Sequence, residues 1–323
     1  MQEQDSPRPE TPANPEAPWE RQALNTLLSA MLSEQRTARR WKVFLRLMWL
    51  VLAGVLVWNL VSYNAQAVSP TMTHTAMVAV KGEIADGTDA SAENIIAAMR
   101  SALDDEGSRA LVLVINSPGG SPVQAGLIYD EVRRLRKLHG KPIYAVVEES
   151  CASAAYYLAT AADKIYVDKA SIVGSIGVLM DGFGFTDLMG KLGVERRLLT
   201  AGENKGFLDP FSPQTAKQRA HAQTMLDAIH NQFITAVRQG RGDRLKETPD
   251  MFSGLFWTGE QAVDMGLADG MSSLDGVARD VVDAPDVIDY TRYENMAERL
   301  AKRFGAAMGE ASVKALRESP VLR

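Results

Sequence analysis

Three hundred and twenty-three residues, 46% of them hydrophobic and 23% charged, can bury a real core, which excludes a wholly disordered chain and a collagen-like fibre. The net charge of −5 lacks the basic surplus of a nucleic-acid binder, so no nucleic-acid partner is expected. Cys151 is the one cysteine, which removes internal disulfides and cysteine-cluster metal sites.

Pro7, Pro9, Pro12, Pro15 and Pro18, interleaved with acidic and amide side chains, open the chain. Such a stretch has too little apolar area to offset chain entropy and is expected to be disordered. Leu24, Leu27, Leu28, Met31 and Leu32 then follow the spacing of one helical face. Segment 1–40 therefore reads as a Pro-rich tail with a short amphipathic helix that lies on a membrane or binds a partner. From Val43 to Tyr63 the chain is almost continuously apolar, with Trp41, Trp49, Trp58 and Tyr63 near its ends or flanks. Segment 41–63 is accordingly predicted to be one transmembrane signal anchor, about 20 residues of helix being needed to span a bilayer. Arg36, Arg39, Arg40, Lys42 and Arg46 all precede or open it. The positive-inside rule then puts the N-terminus in the cytoplasm and the remainder on the periplasmic or extracytoplasmic side of the inner (cytoplasmic) membrane. Residues 1–46 carry a net +1, so the acidity, −6, belongs to everything after them. Ala65-Gln66-Ala67 imitates a signal-peptidase site, but the long region before it favours a retained anchor. Residues 64–73 read as a linker.

The body, 74–290, alternates strand and helix. His74–Val80 reads as a strand, 92–103 as a helix with Ile95, Ile96 and Met99 on it, and Ala110–Ile115 as a buried parallel strand. A helix over Pro122–Leu138, a strand over Pro142–Val147, a helix from about Ser153 and a strand over Lys164–Val167 follow. This alternation implies an α/β fold with a mostly parallel sheet covered by helices. Residues 291–323 read as a helical extension. Met296, Leu300, Phe304, Ala307 and Met308 form a stripe there suited to packing between subunits.

Two segments carry the chemistry. Asn116-Ser117-Pro118-Gly119-Gly120 follows the buried strand and opens a helix, placing exposed amides at a positive helix end, as an oxyanion requires. Alone, it is also an ordinary turn. Cys151-Ala152-Ser153-Ala154-Ala155-Tyr156-Tyr157 follows the next strand, and Ser153 there is either a nucleophile or a helix N-cap. A nucleophilic serine needs a base, yet His74, His139, His221 and His230 all lack a motif-like setting. A desolvated lysine can serve instead, since burial disfavours its charged form. The glycines Gly182, Gly184 and Gly190 have the wrong spacing for a dinucleotide loop, and no metal-binding helix is present. The expectation is therefore no cofactor and no metal.

These segments and their order resemble the signal peptide peptidase A family of bacterial membrane-anchored serine proteases, whose fold is shared with Clp protease and crotonase. The similarity runs from about residue 74 to about 270. It rests on Asn116–Gly120, Ser153 with Tyr156-Tyr157, Ala162-Asp163-Lys164 and Val173-Gly-Ser-Ile-Gly-Val178. It continues through Ala201-Gly202-Glu203-Asn204-Lys205, Asp209-Pro210-Phe211 and Trp257-Thr258-Gly259 with Ala262, Gly266 and Leu267. The resemblance implies a repeated ββα-type spiral and peptide-bond hydrolysis by a serine–lysine dyad. Its serine matches Ser153, its lysine matches Lys205, and a lysine-orienting serine matches Ser175. The amides of Gly120 and Ala154 match the oxyanion hole, and Asp163 has a supporting role. It also implies a homo-oligomeric ring or bowl acting on apolar signal-peptide fragments at a membrane. Ala154-Ala155 stands where the family commonly has two glycines, and Asn204 where an aromatic often precedes the lysine. Three alternatives stand beside this reading: a stomatin-type partner-processing protease, a crotonase-type acyl-CoA enzyme, and a non-catalytic scaffold or partner-recruiting factor.

Overall fold

The computed structural model describes residues 39, 41–56, 58 and 72–293. The chain divides into one unit through Pro70 and a second from Thr71. In the first, α1 (41–56) is helical with every side chain exposed. Among the described residues, no helix is long and apolar enough to cross a membrane. Most of the expected tail, the rest of the 41–63 segment, nearly all of the linker and residues 294–323 of the expected helical extension lie outside the described residues.

In the second unit the chain runs β1 (His74–Lys81), α2 (Ala92–Asp104), β2 (Ser108–Ser117), α3 (Pro122–His139), β3 (Ile143–Ala152), α4 (Ala154–Ala159), β4 (Lys164–Val167) and β5 (Ile172–Gly174). It continues with α5 (Thr186–Leu192), α6 (Ala216–Arg241), β6 (Phe256–Thr258), α7 (Gly259–Asp264), β7 (Gly270–Met271), α8 (Leu274–Asp280) and β8 (Val287–Asp289). The sheet order is β6-β5-β3-β2-β1-β8, with β4 pairing to β3 and β7. Every pairing is parallel except β5 with β6. The mostly parallel α/β class expected from the strand–helix alternation is the one observed.

The strands that alternation predicted are those buried on both faces. Leu111, Leu113 and Ile115 of β2 join Ile95 and Met99 of α2, Ile128 and Val132 of α3 and Phe233 of α6 in the main core. Val112 and Val114, one residue out of phase, pack with Val146, Tyr166 and Val277 of α8 on the other side. Helix α3 begins at a Ser121 N-cap with Pro122 in its first turn and ends at Gly140, whose φ is 65°. Because β2 and β3 pair in parallel, their C-terminal ends reach one rim, where the two chemistry-bearing segments meet.

Helix α6 is tied to this frame through a buried ion pair. Arg241, 1% exposed, donates from Nη1 to Asp269 at 2.7 Å and from Nε to the Gly266 carbonyl at 2.8 Å. Asp269 also accepts from the Ile165 amide at 2.7 Å and from Arg244 at 2.9 Å. Burial raises the Asp269 carboxyl, but the Arg241 hydrogen bond and charge, with the Ile165 amide and the Arg244 charge, together hold it below the ordinary value. Replacing Asp269 by Asn should therefore lower stability by about 3 kcal/mol, because a buried guanidinium loses its counter-charge. A depressed carboxyl stabilises above its unfolded value and ceases to do so as pH falls through its folded value. Urea midpoints of wild type and Asp269→Asn should accordingly differ most near neutral pH and converge in acid. An unchanged midpoint at neutral pH would count against the pair as a tether.

Candidate active site

Ser153 occupies the turn between β3 and α4. Its backbone has φ 53° and ψ −124°, a conformation that side-chain-bearing residues rarely adopt. Two contacts fix it: the Ser153 amide donates to the Gly174 carbonyl at 2.8 Å, and the Tyr157 amide donates to the Ser153 carbonyl at 2.9 Å. The turn lifts the hydroxyl out of the helix, and no side-chain cap bond forms. The N-cap reading of Ser153 thus gives way to a displayed hydroxyl.

The Pro-Gly-Gly loop arrives from β2. The Ile84 amide donates to Gly119 O at 2.9 Å, and the Ser121 amide donates to Ile84 O at 2.7 Å. Gly119 spends its own amide on Ser117 Oγ at 3.1 Å. Among the described residues, the amides of Gly120 and Ala154 donate to nothing. Ala154 opens α4, where helix amides have no partner within the helix. Two free N–H groups beside one hydroxyl can together hold a developing oxyanion. The Ala154-Ala155 departure leaves Ala154 at the helical start, while the positive φ falls on Ser153.

Gly120, Ser153, Ala154 and Ser175 line one cavity of about 520 Å³. Ser175 follows β5, with φ 51° and its amide on Leu255 O at 2.7 Å. The remaining wall is largely apolar, from Pro122, Tyr157, Val178, Leu179, Ile229 and Phe233, with Gly177, Gln232, Ser253 and Gly254 completing it. Ile229 and Phe233 are four apart on α6, and that spacing was legible in the sequence; Ser253-Gly254 carried no signal. Tyr157 is the lone ionisable side chain in this lining, and burial pushes its hydroxyl up.

Lys205 is not in the lining. It lies exposed in a turn at 201–208, its amide on Gly202 O at 3.1 Å. No residue from Gly177 through Gln232 is buried. That stretch forms an arm held by its own contacts: Arg196 pairs with Asp209 at 2.9 Å, and Phe185 stacks on Phe211. The arm presents Leu179, Phe183 and Leu199 at 81%, 80% and 96% exposure. Asp163 stands apart from the cavity, pairing with Arg136 and accepting from the Ile143 amide. His230 bonds to the Ile176 carbonyl at 3.1 Å, and His221 lies against Phe207. Burial pushes the Cys151 thiol up, so it is an inert core group.

The sequence model of peptidase family S49 matches residues 136–287, and that of Clp protease matches residues 62–173. A Na(+)/H(+) antiporter NhaA of Brucella melitensis is 46% identical over 176 residues, covering 54% of this chain and 24% of that one. Protease 4 of Haemophilus influenzae is 31% identical over 202 residues, 61% of this chain and 32% of its own. The chloroplastic serine protease SPPA of Arabidopsis thaliana is 28% identical over 204 residues, 60% and 29% respectively. The chain thus spans about a quarter to a third of the length of these relatives. The serine displayed on a mostly parallel α/β sheet beside two free amides thus lies within the region similar to peptidase family S49, and the S49 and Clp protease matches overlap over residues 136–173.

Proposed function

We propose that the protein is a serine endopeptidase working through a Ser153–Lys205 dyad. The observation that carries this is the strained Ser153 turn beside two unspent amides in one largely apolar cavity. Ser153 Oγ attacks the peptide carbonyl, and the amides of Gly120 and Ala154 receive the negative oxygen of the tetrahedral intermediate. Lys205 takes the serine proton and passes it to the leaving amine; water then attacks the acyl-enzyme by the same route in reverse. Ser175, in the same lining, orients the lysine amine. The wall of Tyr157, Val178, Leu179, Ile229 and Phe233 suits an apolar side chain next to the scissile bond. Apolar signal-peptide remnants are the substrate class that fits, delivered at the membrane that the 41–63 segment would enter from its cytoplasmic N-terminal side. The name of the Arabidopsis relative, a serine protease, points the same way.

Because the base is missing from the lining, we propose that it comes from assembly. Lys205 sits on an arm without buried residues and with a large apolar surface, so the arm of one copy packs on the next and carries the lysine to that copy's serine. A lysine in water holds its proton, and desolvation frees the amine to act as a base. The assembly is the ring or bowl expected from the family. One observation favours a second reading, a non-catalytic recruiting factor: within one copy the hydroxyl has no basic side chain in its cavity.

A fluorophosphonate probe should label wild type and not Ser153→Ala; no labelling of wild type would favour the recruiting factor. Ser153→Ala and Lys205→Ala should each lower peptide hydrolysis by roughly 1000-fold or more. Co-assembled Ser153→Ala and Lys205→Ala chains should regain part of the activity, since some junctions pair an intact serine with an intact lysine. Absence of regain, with each variant still assembling by light scattering, would place the lysine in its own chain. Gly120→Ala puts a Cβ 2.3 Å from Ile84 O, and shifting that amide should cost about 100-fold in turnover. Finally, Ser153→Gly should raise stability by about 1 kcal/mol in thermal melts, with no such gain in Ser153→Ala, because only glycine relaxes that backbone.

A further inference from the structure

Gly119 and Gly120 follow one another in the Pro-Gly-Gly loop with φ of 108° and 145°. Residues without side chains have no stiffness of their own to hold such a backbone. An amide that receives a transient charge must nonetheless be in position before the charge forms. Pro118 fixes its own φ through its ring. The peptide plane between Gly119 and Gly120 is pinned from outside the loop, since Gly119 O accepts from the Ile84 amide at 2.9 Å. The plane before it, between Pro118 and Gly119, is pinned by a side chain, for Ser117 Oγ accepts from the Gly119 amide at 3.1 Å. A backbone N–H only donates, so this bond has one possible direction.

Ser117 is fully buried and stands outside the cavity lining. Its main chain has a second attachment. Strands β2 and β3 pair from Leu111 with Ile143 to Ile115 with Val147, and the register then jumps so that Ser117 stands opposite Cys151. Residues 148–150 bulge out against Asn116 at this jump. Beyond it the two segments advance in step. Gly119 lies two residues past Ser117, Ser153 lies two past Cys151, and a Cβ on Gly119 would stand 2.8 Å from Ser153 Cβ. Gly119 is buried with its amide spent, while Gly120 is exposed with its amide unspent. Ser117 therefore joins the two halves of the site. Its main chain is in register with the strand that carries the nucleophile, and its hydroxyl holds the loop that carries the Gly120 amide.

We infer that Ser117 is a positioning residue for the oxyanion hole, holding the Gly120 amide on the Ser153 side of the loop by way of Gly119; the inference rests on the peptidase reading above. Without Oγ the buried Gly119 N–H loses its acceptor, and a buried donor left alone turns toward another partner or toward water. The Pro118–Gly119 plane then swings, and with it the Gly120 N–H leaves its line to the reacting oxygen. Ser153 and the apolar wall remain as they were, so a bound peptide keeps its contacts. The loss falls on the charge that develops in the transition state.

Ser117→Ala, made in the full chain and kept in mild detergent, tests this. In hydrolysis of an apolar peptide its kcat should fall about 20-fold with KM unchanged, less than the roughly 100-fold or more that follows outright loss of a donor. A peptide aldehyde, whose serine adduct carries the oxyanion, should bind about 20-fold more weakly, while a product peptide competes as in wild type. Hydrogen exchange over residues 117–121 should quicken about tenfold, with β1 as protected as before. Ser117→Thr keeps the oxygen and should stay within about threefold of wild type in kcat. Turnover of Ser117→Ala within about twofold of wild type, equal losses of aldehyde and product-peptide affinity, or unchanged exchange over 117–121 would overturn the positioning role. A wild type that neither hydrolyses the peptide nor binds the aldehyde would overturn the peptidase reading itself, and the role of Ser117 with it.

Discussion

The backbone of the Pro-Gly-Gly loop lies closer to its neighbours than any side chain would permit, and the rim chemistry depends on that approach. A Cβ on Gly120 would stand 2.3 Å from Ile84 O, and one on Gly119 would stand 2.8 Å from both Ala152 O and Ser153 Cβ. Glycine at both places lets β2 deliver its loop against the Ser153 turn instead of beyond it. The hydrogen bonds that hold the loop are made by its neighbours, Ile84 N to Gly119 O and Ser121 N to Ile84 O. The Gly120 amide is consequently held in place without being used. Parallel strands end together at one edge of a sheet, so this loop, the turn after β3 and the turn after β5 converge there with no special arrangement.

That edge also bears strain. Ser153 and Ser175 both have positive φ, and both follow strands paired with each other, Cys151 with Val173 and Ala152 with Gly174. The Ser153 amide closes this pairing on Gly174 O, and the Ser175 amide is anchored on Leu255 O across the antiparallel β5–β6 junction. Each serine is forced into its turn by hydrogen bonds on the strand behind it, which is how surrounding structure can hold a conformation costing about 1–3 kcal/mol. The buried Arg241–Asp269 pair has a parallel role for α6, fixing the helix that supplies Ile229 and Phe233 to the cavity wall.

How much of this could be read from residues follows from burial. Ala110–Ile115 announced β2 because a strand covered on both faces must be apolar throughout, and residues 110–115 are all buried. β6 and β8 are short and largely exposed, so no apolar run marked them. The Pro-Gly-Gly loop and Ser153 were readable because glycines and a strand-to-helix turn leave local signs; the resemblance added Ala154 and Ser175, and all four positions line one cavity. The location of Lys205 was not readable in the same way. Its segment lacks buried residues, and side chains that do not pack against their own body leave no periodic pattern to say where they go. Motif order named the lysine; only packing could say whose serine it serves.

This division between a packed body and an unpacked arm suits the proposed dyad. Desolvating a lysine until its amine serves as a base near neutral pH costs roughly 4–5 kcal/mol. Inside one folding unit that cost would weigh on a stability that is itself only about 5–15 kcal/mol. If the lysine loses water when copies meet, the cost falls on association instead. At about 25 cal/mol per Å², roughly 200 Å² of apolar surface offsets it, which is of the order of two or three large side chains. Leu179, Phe183 and Leu199 stand almost wholly in water and supply area of that size. If the lysine reaches the serine only on assembly, an isolated chain has its serine displayed but no base beside it.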